Sequence, residues 1–477
     1  MTQVIGNGRA CTANPLKLSP ALGGSLAFLG IDRCLPLLHG SQGCTAFALV
    51  LMVRHFREAI PLQTTAMSEL STILGGADNV ETAIGNIYER ARPRVIGICS
   101  TALTDTRGED IVGELRETLA GHKEWVDLDV VLAPTPDYAG SLQEGWAAAV
   151  GAVIADLVPE GRGTRTLKQV NLLPGSHLTP ADVEELREIT ESFGLNAIVL
   201  PDLAGSLDGH VPDEHVPTSL GGTTVEAIRT MGQSRLTLAI GEQMRAPAGV
   251  LERRTGVPVC VFPGLTGLEA TDTFVAALME VAGHGVPERL KRQRSRLVDT
   301  MLDAHFFFSG RSVAIAAEPD LLLAFSTLVA GMGASIGCAV TTTSTPAASR
   351  VPADRVVVGD LDDLERGAGG CDLIIASAHA RQAAERLDLP LYRVGFPIFD
   401  RLGSAQRLSV GYRGTAALLC EIGNILMDAG HDRDGGHESV HENEHDGGHD
   451  SGRGRNTRHG RAVAHGGGAF NAQVASH

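Results

Sequence analysis

The sequence predicts an α/β protein built from three Rossmann-like domains, each with a mostly parallel sheet flanked by helices. Its 477 residues are too many for one hydrophobic core. Apolar strand-like runs alternate with amphipathic helix-like segments along most of the chain. The composition is 43% hydrophobic but only 4% aromatic, with 57 glycines, which is typical of aliphatic parallel sheets with close helix contacts. We expect domains at residues 1–164, 165–305 and 306–430, and a tail at 431–477.

The first predicted domain contains three apolar strands and three helices. The strands are LPLLHG (35–40), RVIGICS (94–100) and VVLAPTP (130–136). The helices are TAFALVLMVRHF (45–56), NVETAIGNIYERA (79–91) and SLQEGWAAAVGAVIADLV (141–158). This alternation indicates β-α-β units, whose ligands bind beyond the carboxyl ends of the strands.

The second and third predicted domains continue the alternation. In the second, VNLLPG, AIVLPD and LTLAIG are strands, and a helix spans 180–193, where Thr179, Pro180 and Asp182 supply the starting signals. In the third, the strands are SVAIAA, SIGCAV, RVVVGD, DLIIASAHA and LYRVGFP. The helices there are one ending at 333, DLDDLERG, one after DLIIASAHA, and a last one near 415–428.

Charge and hydropathy exclude two classes of partner. The net charge of −16 disfavours nucleic acid and anionic membrane surfaces. Residues 321–340 lack charge and are long enough to cross a membrane, but Gly331, Gly333 and Gly337 divide them into a helix and a strand. Eight scattered cysteines and an N-terminus without an apolar leader predict a reduced, cytoplasmic protein.

The tail after residue 430 has its own composition. It holds eight of the seventeen histidines and ten glycines, so we expect it to be disordered. HESVH and HENEH (437–445) match a zinc-protease pattern, but flanking glycines leave no rigid helix to present the imidazoles. Two readings stay open: a solubilising tail, or weak divalent-metal binding by four histidines, namely His437, His441, His445 and His449.

The sequence lacks nucleotide and hydrolase motifs. It contains no P-loop and no GxSxG element, and GMGASIG (331–337) is one residue too long for the dinucleotide fingerprint. We therefore expect no catalytic residue, a protein that is not itself an enzyme, and any ATP chemistry to come from a partner.

The sharpest local motif is HGSQGC (39–44), a tight loop between an apolar strand and a helix. It places Cys44 at a helix N-terminus, where free backbone N–H groups and the helix dipole stabilise a thiolate. Cys44 is therefore a candidate ligand or reactive thiol, although a small buried thiol is the ordinary alternative. No CxxC pair accompanies it.

Several long strings together resemble the β-like half of the nitrogenase component 1 superfamily, in its iron-molybdenum cofactor biosynthesis branch. They are NPLKLSPALGGSLAFLGIDRCLPLLHGSQGC (14–44), RHFREAIPLQTTAMSE (54–69), STILGG (71–76), DLIIASAHA (372–380), GFPIFDRLG (395–403) and GYRG (411–414). The resemblance implies the nitrogenase component 1 fold and covers about residues 14–414.

The same resemblance implies an iron-sulfur site. In the catalytic β subunit three cysteines of this chain help to hold an eight-iron cluster, and here only Cys44 remains, with Ser19 and Ala102 at the other two positions. A 4Fe-4S cluster normally needs four protein ligands, so Cys44 implies a cluster shared with a partner chain. Cys34 and Cys99 are further candidates, and four other cysteines, Cys260, Cys338, Cys371 and Cys420, are expected in the core.

By the same resemblance the chain is a scaffold subunit that pairs with the α-like protein NifE in an α2β2 heterotetramer. NifB supplies the iron-molybdenum cofactor precursor, the nitrogenase iron protein docks transiently while molybdenum and homocitrate are added, and apo-nitrogenase accepts the product. Three alternatives remain: a nitrogenase β subunit, a subunit of the related dark protochlorophyllide or chlorophyllide reductases, and a metal-storage or delivery protein that acts through its histidine-rich tail.

Overall fold

Three parallel sheets organise the chain in the computed structural model. The structure describes residues 2–6, 8, 14–68, 77–105, 111–207, 209 and 216–438, with side chains up to 429. Residues 1–430 form one compact unit and 431–477 another. The predicted disorder of the tail, and with it His441, His445 and His449, lies outside the described residues. His437 lies in the last described helix turn, where only the backbone is described.

Fourteen strands are present in the described residues. They are β1 Gln3–Gly6, β2 Cys34–His39, β3 Gln63–Thr64, β4 Val95–Ser100, β5 Asp129–Ala133, β6 Gln169–Pro174, β7 Asn196–Val199, β8 Thr237–Ile240, β9 Val259–Phe262, β10 Ser312–Ala317, β11 Ser335–Thr341, β12 Arg355–Val358, β13 Leu373–Ala376 and β14 Leu391–Arg393.

The described α-helices surround these strands. They are α1 Pro20–Leu29, α2 Gln42–Phe56, α3 Ala77–Ala91, α4 Ala102–Asp105, α5 Ile111–Gly121, α6 Leu142–Leu157, α7 Pro180–Ser192, α8 Leu203–Ser206, α9 Val225–Arg229, α10 Arg245–Thr255, α11 Leu268–Ala282, α12 Glu288–Phe308, α13 Pro319–Gly331, α14 Leu361–Gly367, α15 Arg381–Leu387 and α16 Gly411–Glu438. Four short 3-10 turns complete the set: Met231–Gln233, Glu242–Met244, Ala348–Arg350 and Ala378–Ala380.

Each sheet is parallel, which confirms the predicted fold class. The sheet orders are β3-β2-β4-β5, β7-β6-β8-β9 and β1-β12-β11-β10-β13-β14. The N-terminal strand β1 pairs with β12 and so joins the third sheet, although it lies in the segment expected to form the first domain. The exact domain boundaries remain a prediction.

The uncharged segment 321–340 forms most of α13 and most of β11, as the glycines predicted. Strand β11 lies in the third sheet, and helix α13 packs against that sheet. Leu322 and Val340 are fully buried there. No helix in the described part of the chain is long and apolar enough to span a membrane.

Glycines allow α1 and α6 to pack at very short range. A Cβ on Gly23 would lie 1.9 Å from the carbonyl oxygen of Leu142, and one on Gly145 would lie 1.8 Å from that of Pro20. Trp146, next to this contact and 1% exposed, donates its indole N–H to Pro174 O at 3.0 Å and so links the first two sheets. Both glycines lower the helix propensity of their segments, and the close packing of α1 against α6 offsets this loss of stability.

Gly145→Ala is expected to lower the free energy of unfolding by about 3 kcal/mol, because its methyl group cannot fit without separating the two helices. Urea denaturation followed by circular dichroism measures the change. Gly151→Ala on the same helix is the control: its Cβ meets nothing within 4 Å, so it should be neutral or slightly stabilising. Equal stability of the two variants would contradict the packing account.

Candidate functional site

The HGSQGC loop lies at the carboxyl edge of the first sheet, as predicted. β2 ends at His39, Ser41 is the N-cap of α2, and Cys44 is an exposed residue in the first turn of α2. Ser41 Oγ donates to Cys44 Sγ at 3.5 Å. The alternative that Cys44 is a small buried thiol is therefore wrong. Cys44 lies at a helix N-terminus, accepts a hydrogen bond from a hydroxyl group and is exposed to solvent.

Neighbouring loops hold this turn in place. Gly40 N donates to Thr65 Oγ1 at 3.1 Å, and the His39 ring contacts the same hydroxyl at 3.0 Å. From the next strand, Thr101 Oγ1 donates to His39 O at 2.9 Å. A Cβ on Gly40 would lie 2.8 Å from Thr101 Oγ1, so only glycine fits there. The loop that carries Cys44 is thus rigidly positioned.

The structure brings the positions of Ser19 and Ala102 to the same sheet edge. Ser19 caps α1 and donates to Asp137, which follows β5. Ala102 begins α4, directly after β4. Asp137 and Ala102 thus follow strands of the same sheet as β2, and Ser19, on the loop before α1, reaches this edge through its hydrogen bond to Asp137. Neither a hydroxyl engaged with a carboxylate nor a methyl group is a soft metal ligand, so Cys44 has the one thiol among these three positions.

Cys34 and Cys99 do not share the exposure of Cys44. Both are 0% exposed, and Ser25 Oγ donates to Cys99 Sγ at 3.7 Å. Burial raises the pKa of the Cys99 thiol to about 12 and raises the pKa of Cys34 further. Because metal ligation requires the thiolate, these environments favour core thiols over cluster ligands.

The remaining cysteines are mostly as expected. Cys371 is buried, and Cys260 and Cys338 are partly buried beside strands. The core prediction was wrong for Cys420, which is exposed on α16. Because Cys420 lies in a mostly apolar segment of the sequence, the pattern did not show whether this cysteine faces the core or the solvent. Cys11 lies outside the described residues.

An apolar face of α2 extends from the Cys44 loop, and the sequence did not predict its exposure. Phe47 is 64% exposed, Val50 51% and Val53 38%, and Ala46 is exposed between them. These four residues, the α2 face, lie on one side of the helix, whereas Leu51 and Met52 point into the core. A contiguous exposed apolar face next to an exposed thiol is typical of an interface.

A second unpredicted surface lies on α12. Leu302 and Phe306, one helical turn apart, are 61% and 73% exposed. The same helix side exposes an acidic residue at its start, then two basic residues, and two acidic residues in its second half, which together with the apolar pair form the α12 face. Its charged members are Glu288, Arg292, Arg296, Asp299 and Asp303.

His55 joins the far end of α2 to the C-terminal region. Ile398 N donates to His55 Nδ1 at 2.9 Å, and the ring packs against Phe56 and Phe396 at centroid distances of 4.5 and 4.7 Å. Burial of the ring lowers the pKa of His55 to about 3. The folded chain therefore holds this imidazole neutral as an acceptor.

This environment makes stability fall with acidification. His55 titrates near 6.5 when unfolded and near 3 when folded, so the unfolded chain binds the extra proton between these values and stability is lost as pH falls through that window. His55→Asn retains an acceptor but cannot titrate. Between pH 7.5 and 4.5 we expect it to lose about 2–3 kcal/mol less than the parent in urea denaturation. Parallel losses in both proteins would contradict the assignment.

The described residues contain no group of three or more His, Cys, Asp or Glu placed to hold a metal ion. Metal binding by the tail histidines stays a prediction.

Comparison with known proteins assigns the chain to a family. Residues 19–427 match the family described as nitrogenase component 1 type oxidoreductase. The chain is 52% identical over 433 residues to the nitrogenase iron-molybdenum cofactor biosynthesis protein NifN of Mesorhizobium japonicum, covering 90% of this chain and 94% of that protein. It is 52% identical to NifN of Rhodobacter capsulatus, covering 89% of this chain and 93% of that protein.

Solved structures agree with the sequence relatives. A chain of "Nitrogenase Cp1 at pH 6.5" superposes with a TM-score of 0.84 at 32% identity, covering 89% of this chain and 95% of that one. The expected component 1 fold is thereby confirmed. A second chain, from "Nitrogenase Cp1 at pH 5", has a TM-score of 0.65 at 16% identity and shows a shared fold alone.

Proposed function

The chain belongs to the nitrogenase component 1 type oxidoreductase family, and from that premise we propose that it is a scaffold subunit for assembly of the nitrogenase iron-molybdenum cofactor. Relatives about 50% identical over nine-tenths of the chain carry that biosynthetic name. The scaffold pairs with the α-like protein NifE and holds the precursor cluster as cargo while molybdenum and homocitrate are added. It acts in the cytoplasm, consistent with its nitrogenase relatives.

One observation carries the proposal: Cys44 is exposed on a rigid loop. The resemblance to the family puts Ser19 and Ala102 at the positions where the catalytic β subunit has its other two cluster cysteines. A catalytic β subunit needs three thiolates from this chain for its eight-iron cluster. One thiolate suits a 4Fe-4S cluster whose other ligands come from the partner. This difference favours a scaffold over a nitrogenase β subunit.

The residues present fit such a shared cluster. Cys44 supplies the thiolate, the N-terminus of α2 supplies N–H dipoles, and Ser41 supplies a hydroxyl donor to sulfur. When bound, the cluster supplies one-electron transfer at the interface. The chain's own residues position the thiolate, exclude bulk water through the α2 face and provide part of the docking surface for the nitrogenase iron protein.

The two exposed apolar faces account for a heterotetramer. The α2 face, next to Cys44, packs against NifE, because the partner must approach closely enough to complete the cluster. The α12 face joins two such heterodimers: an antiparallel copy of α12 sets Arg292 and Arg296 of one helix against Asp299 and Asp303 of the other. This contact buries the side chains of Leu302 and Phe306, which are exposed in the single chain.

The scaffold has no catalytic residue of its own to contribute. NifB delivers the precursor, the iron protein supplies ATP-driven electrons, and apo-nitrogenase accepts the finished cofactor. The chain binds and orients cargo, which agrees with the lack of a nucleotide or nucleophile motif in its sequence.

A maturation assay tests the proposal. The purified complex with NifE is loaded with precursor and incubated with molybdate, homocitrate, reduced iron protein and MgATP, and then with apo-nitrogenase. We expect acetylene reduction that requires this chain. No activation by an intact, precursor-loaded complex would overturn the scaffold function, whereas a chlorin absorption band on the purified complex would favour the related reductases.

Deletion of residues 431–477 distinguishes the scaffold from a metal-delivery protein. Because the proposed site lies wholly within residues 1–430, the truncated chain should retain cofactor assembly at replete metal. The measurement is the same maturation assay with iron and molybdate in excess. Lost assembly by an intact truncated tetramer would instead place the function in the histidine-rich tail.

A further inference from the structure

A second polar site lies where the carboxyl ends of strands from all three sheets converge, and the scaffold function does not use it. Glu144 lies in the first turn of α6 after β5, Glu242 follows β8, and Glu318 and Asp320 follow β10 at the start of α13. Such convergence points are where α/β proteins bind small ligands.

Hydrogen bonds tie these loops together but leave two of the carboxyl groups, those of Glu318 and Asp320, short of donors. Glu144 is well supplied: Ser141 N and Ser141 Oγ both lie 2.7 Å from its Oε2, and Gln143 Nε2 and Thr343 Oγ1 donate to its Oε1 at 3.0 and 3.2 Å. Glu318 Oε2 lies 2.5 Å from the same Ser141 hydroxyl, whose single hydrogen cannot serve both acids. Gln243 N donates to Asp320 Oδ2 at 3.0 Å.

Cations reach only one of the four acids. Arg245 and Arg350 bind Glu242 at 2.8 and 2.7 Å. In the described chain, no arginine or lysine nitrogen lies within 4.0 Å of the other three, namely Glu144, Glu318 and Asp320. The deep side of the cluster therefore has acidic groups without a matching cation.

Several buried atoms have no hydrogen-bond partner within the described residues. These are Glu318 Oε1, Asp320 Oδ1 and both ring nitrogens of His177. Asp320 is 0% exposed, and a Cβ on Gly241 would lie 2.7 Å from its Oδ2 and 3.0 Å from His177 Cε1, so the three residues crowd one spot. Burial raises the pKa of both Glu318 and Asp320 to about 7. Native proteins seldom leave such acceptors unsatisfied.

Asp320 lines an open pocket of about 660 Å³. One end of the pocket is polar and acceptor-rich, and it is formed by Gln143, Glu144, Glu242, Gln243 and Asp320. The opposite wall is apolar and is formed by Ala147, Ala148, Pro247 and Val250. Arg245 and Arg253 also border the pocket, which disfavours ligands with two positive ends.

We propose that this pocket binds a small organic amine, with its ammonium group at Asp320 and its hydrocarbon part along the Ala147 wall. An ammonium group offers three donors and no acceptor, which matches an end that offers acceptors without a cation. A directly bound metal ion fits less well, because the described residues contain no preformed group of three metal-ligating side chains.

Titration of the full chain with n-butylammonium, followed by saturation-transfer NMR and calorimetry, tests the site. Butan-1-ol, of the same length but neutral, should bind at least 10-fold more weakly. Asp320→Asn, which keeps an acceptor for Gln243 N, should weaken amine binding at least 10-fold. Ala147→Leu fills the apolar end without touching an acid and should also weaken binding.

Asp372→Asn is the matched control. Asp372 is a largely buried aspartate that accepts from Ser312 N at 2.8 Å, at the amino end of β13 and so at the opposite sheet edge. It should bind amine like the parent. Equal binding of butanol, equal binding by Asp320→Asn, or no binding by the parent would each overturn the proposal. Displacement of the amine by equimolar Mg²⁺ would also overturn it, in favour of a metal site.

Discussion

Cys44→Ala is expected to abolish most of the reduced-cluster EPR signal of the complex with NifE and to lower its iron by about one four-iron cluster. The reason is that Cys44 is the exposed thiol on the rigid loop after β2, and alanine cannot ligate iron. The thiol is small and exposed, so its removal should change the free energy of unfolding by less than about 0.5 kcal/mol. Iron quantification and EPR under reducing conditions measure the effect.

Two variants separate ligation from general thiol chemistry. Cys420→Ala removes the other exposed cysteine of the described chain, on α16, and should leave iron and EPR unchanged. Cys44→Ser keeps the side-chain size but offers a hard oxygen, so it should resemble Cys44→Ala more than the parent. Unchanged iron and an unchanged EPR signal in Cys44→Ala would remove Cys44 from the cluster.

The double substitution Phe47→Asp, Val50→Asp should prevent pairing with NifE. Both side chains are more than half exposed in this chain, and burial of each contributes about 1.5–3 kcal/mol, so two buried charges should weaken the heterodimer by 100-fold or more. Analytical ultracentrifugation or gel filtration of the co-expressed chains reports the assembly state.

The matched control for this surface is Leu167→Asp. Leu167 is 74% exposed between α6 and β6, outside the α2 face, so its substitution should leave pairing intact. Circular dichroism establishes that the double variant stays folded. A stable, iron-containing heterotetramer of the double variant would place the partner interface elsewhere on the chain.

Sequence reasoning located elements whose signals are local. The helix expected at 180–193 spans Pro180–Ser192, and its capping box forms: Asp182 N donates to Thr179 Oγ1 at 3.0 Å and Thr179 N to Asp182 Oδ2 at 3.1 Å. The last helix was expected at 415–428 but spans Gly411–Glu438, because helix ends without a proline or capping residue are poorly marked in sequence.

Elements that depend on long-range contacts were not predicted from the sequence. Helix α1 was missed because Gly23 and Gly24 lower its helix propensity, and only its packing against α6 explains them. Strand β1 has just four residues and is stabilised by pairing with β12, some 350 positions away. Helices α10 to α12 and strand β9 were not predicted either, although β9 lies in the apolar run VPVCVF (257–262).

The candidate site was likewise predicted only in part from the sequence. The HGSQGC pattern predicted Cys44 at a helix N-terminus, and that placement is confirmed. Exposure of Phe47 and Val50 was not predictable, since an apolar helix face in a sequence normally indicates the core. The acids around Asp320 are almost 180 positions apart and meet only through the convergence of three sheets.

Anaerobic co-expression of this chain with NifE, followed by iron quantification and EPR, tests the central claim most directly. The account predicts a stable heterotetramer with the signal of an interface 4Fe-4S cluster, and no such signal from this chain purified alone. A soluble monomer that binds metal only through its histidine-rich tail would contradict it.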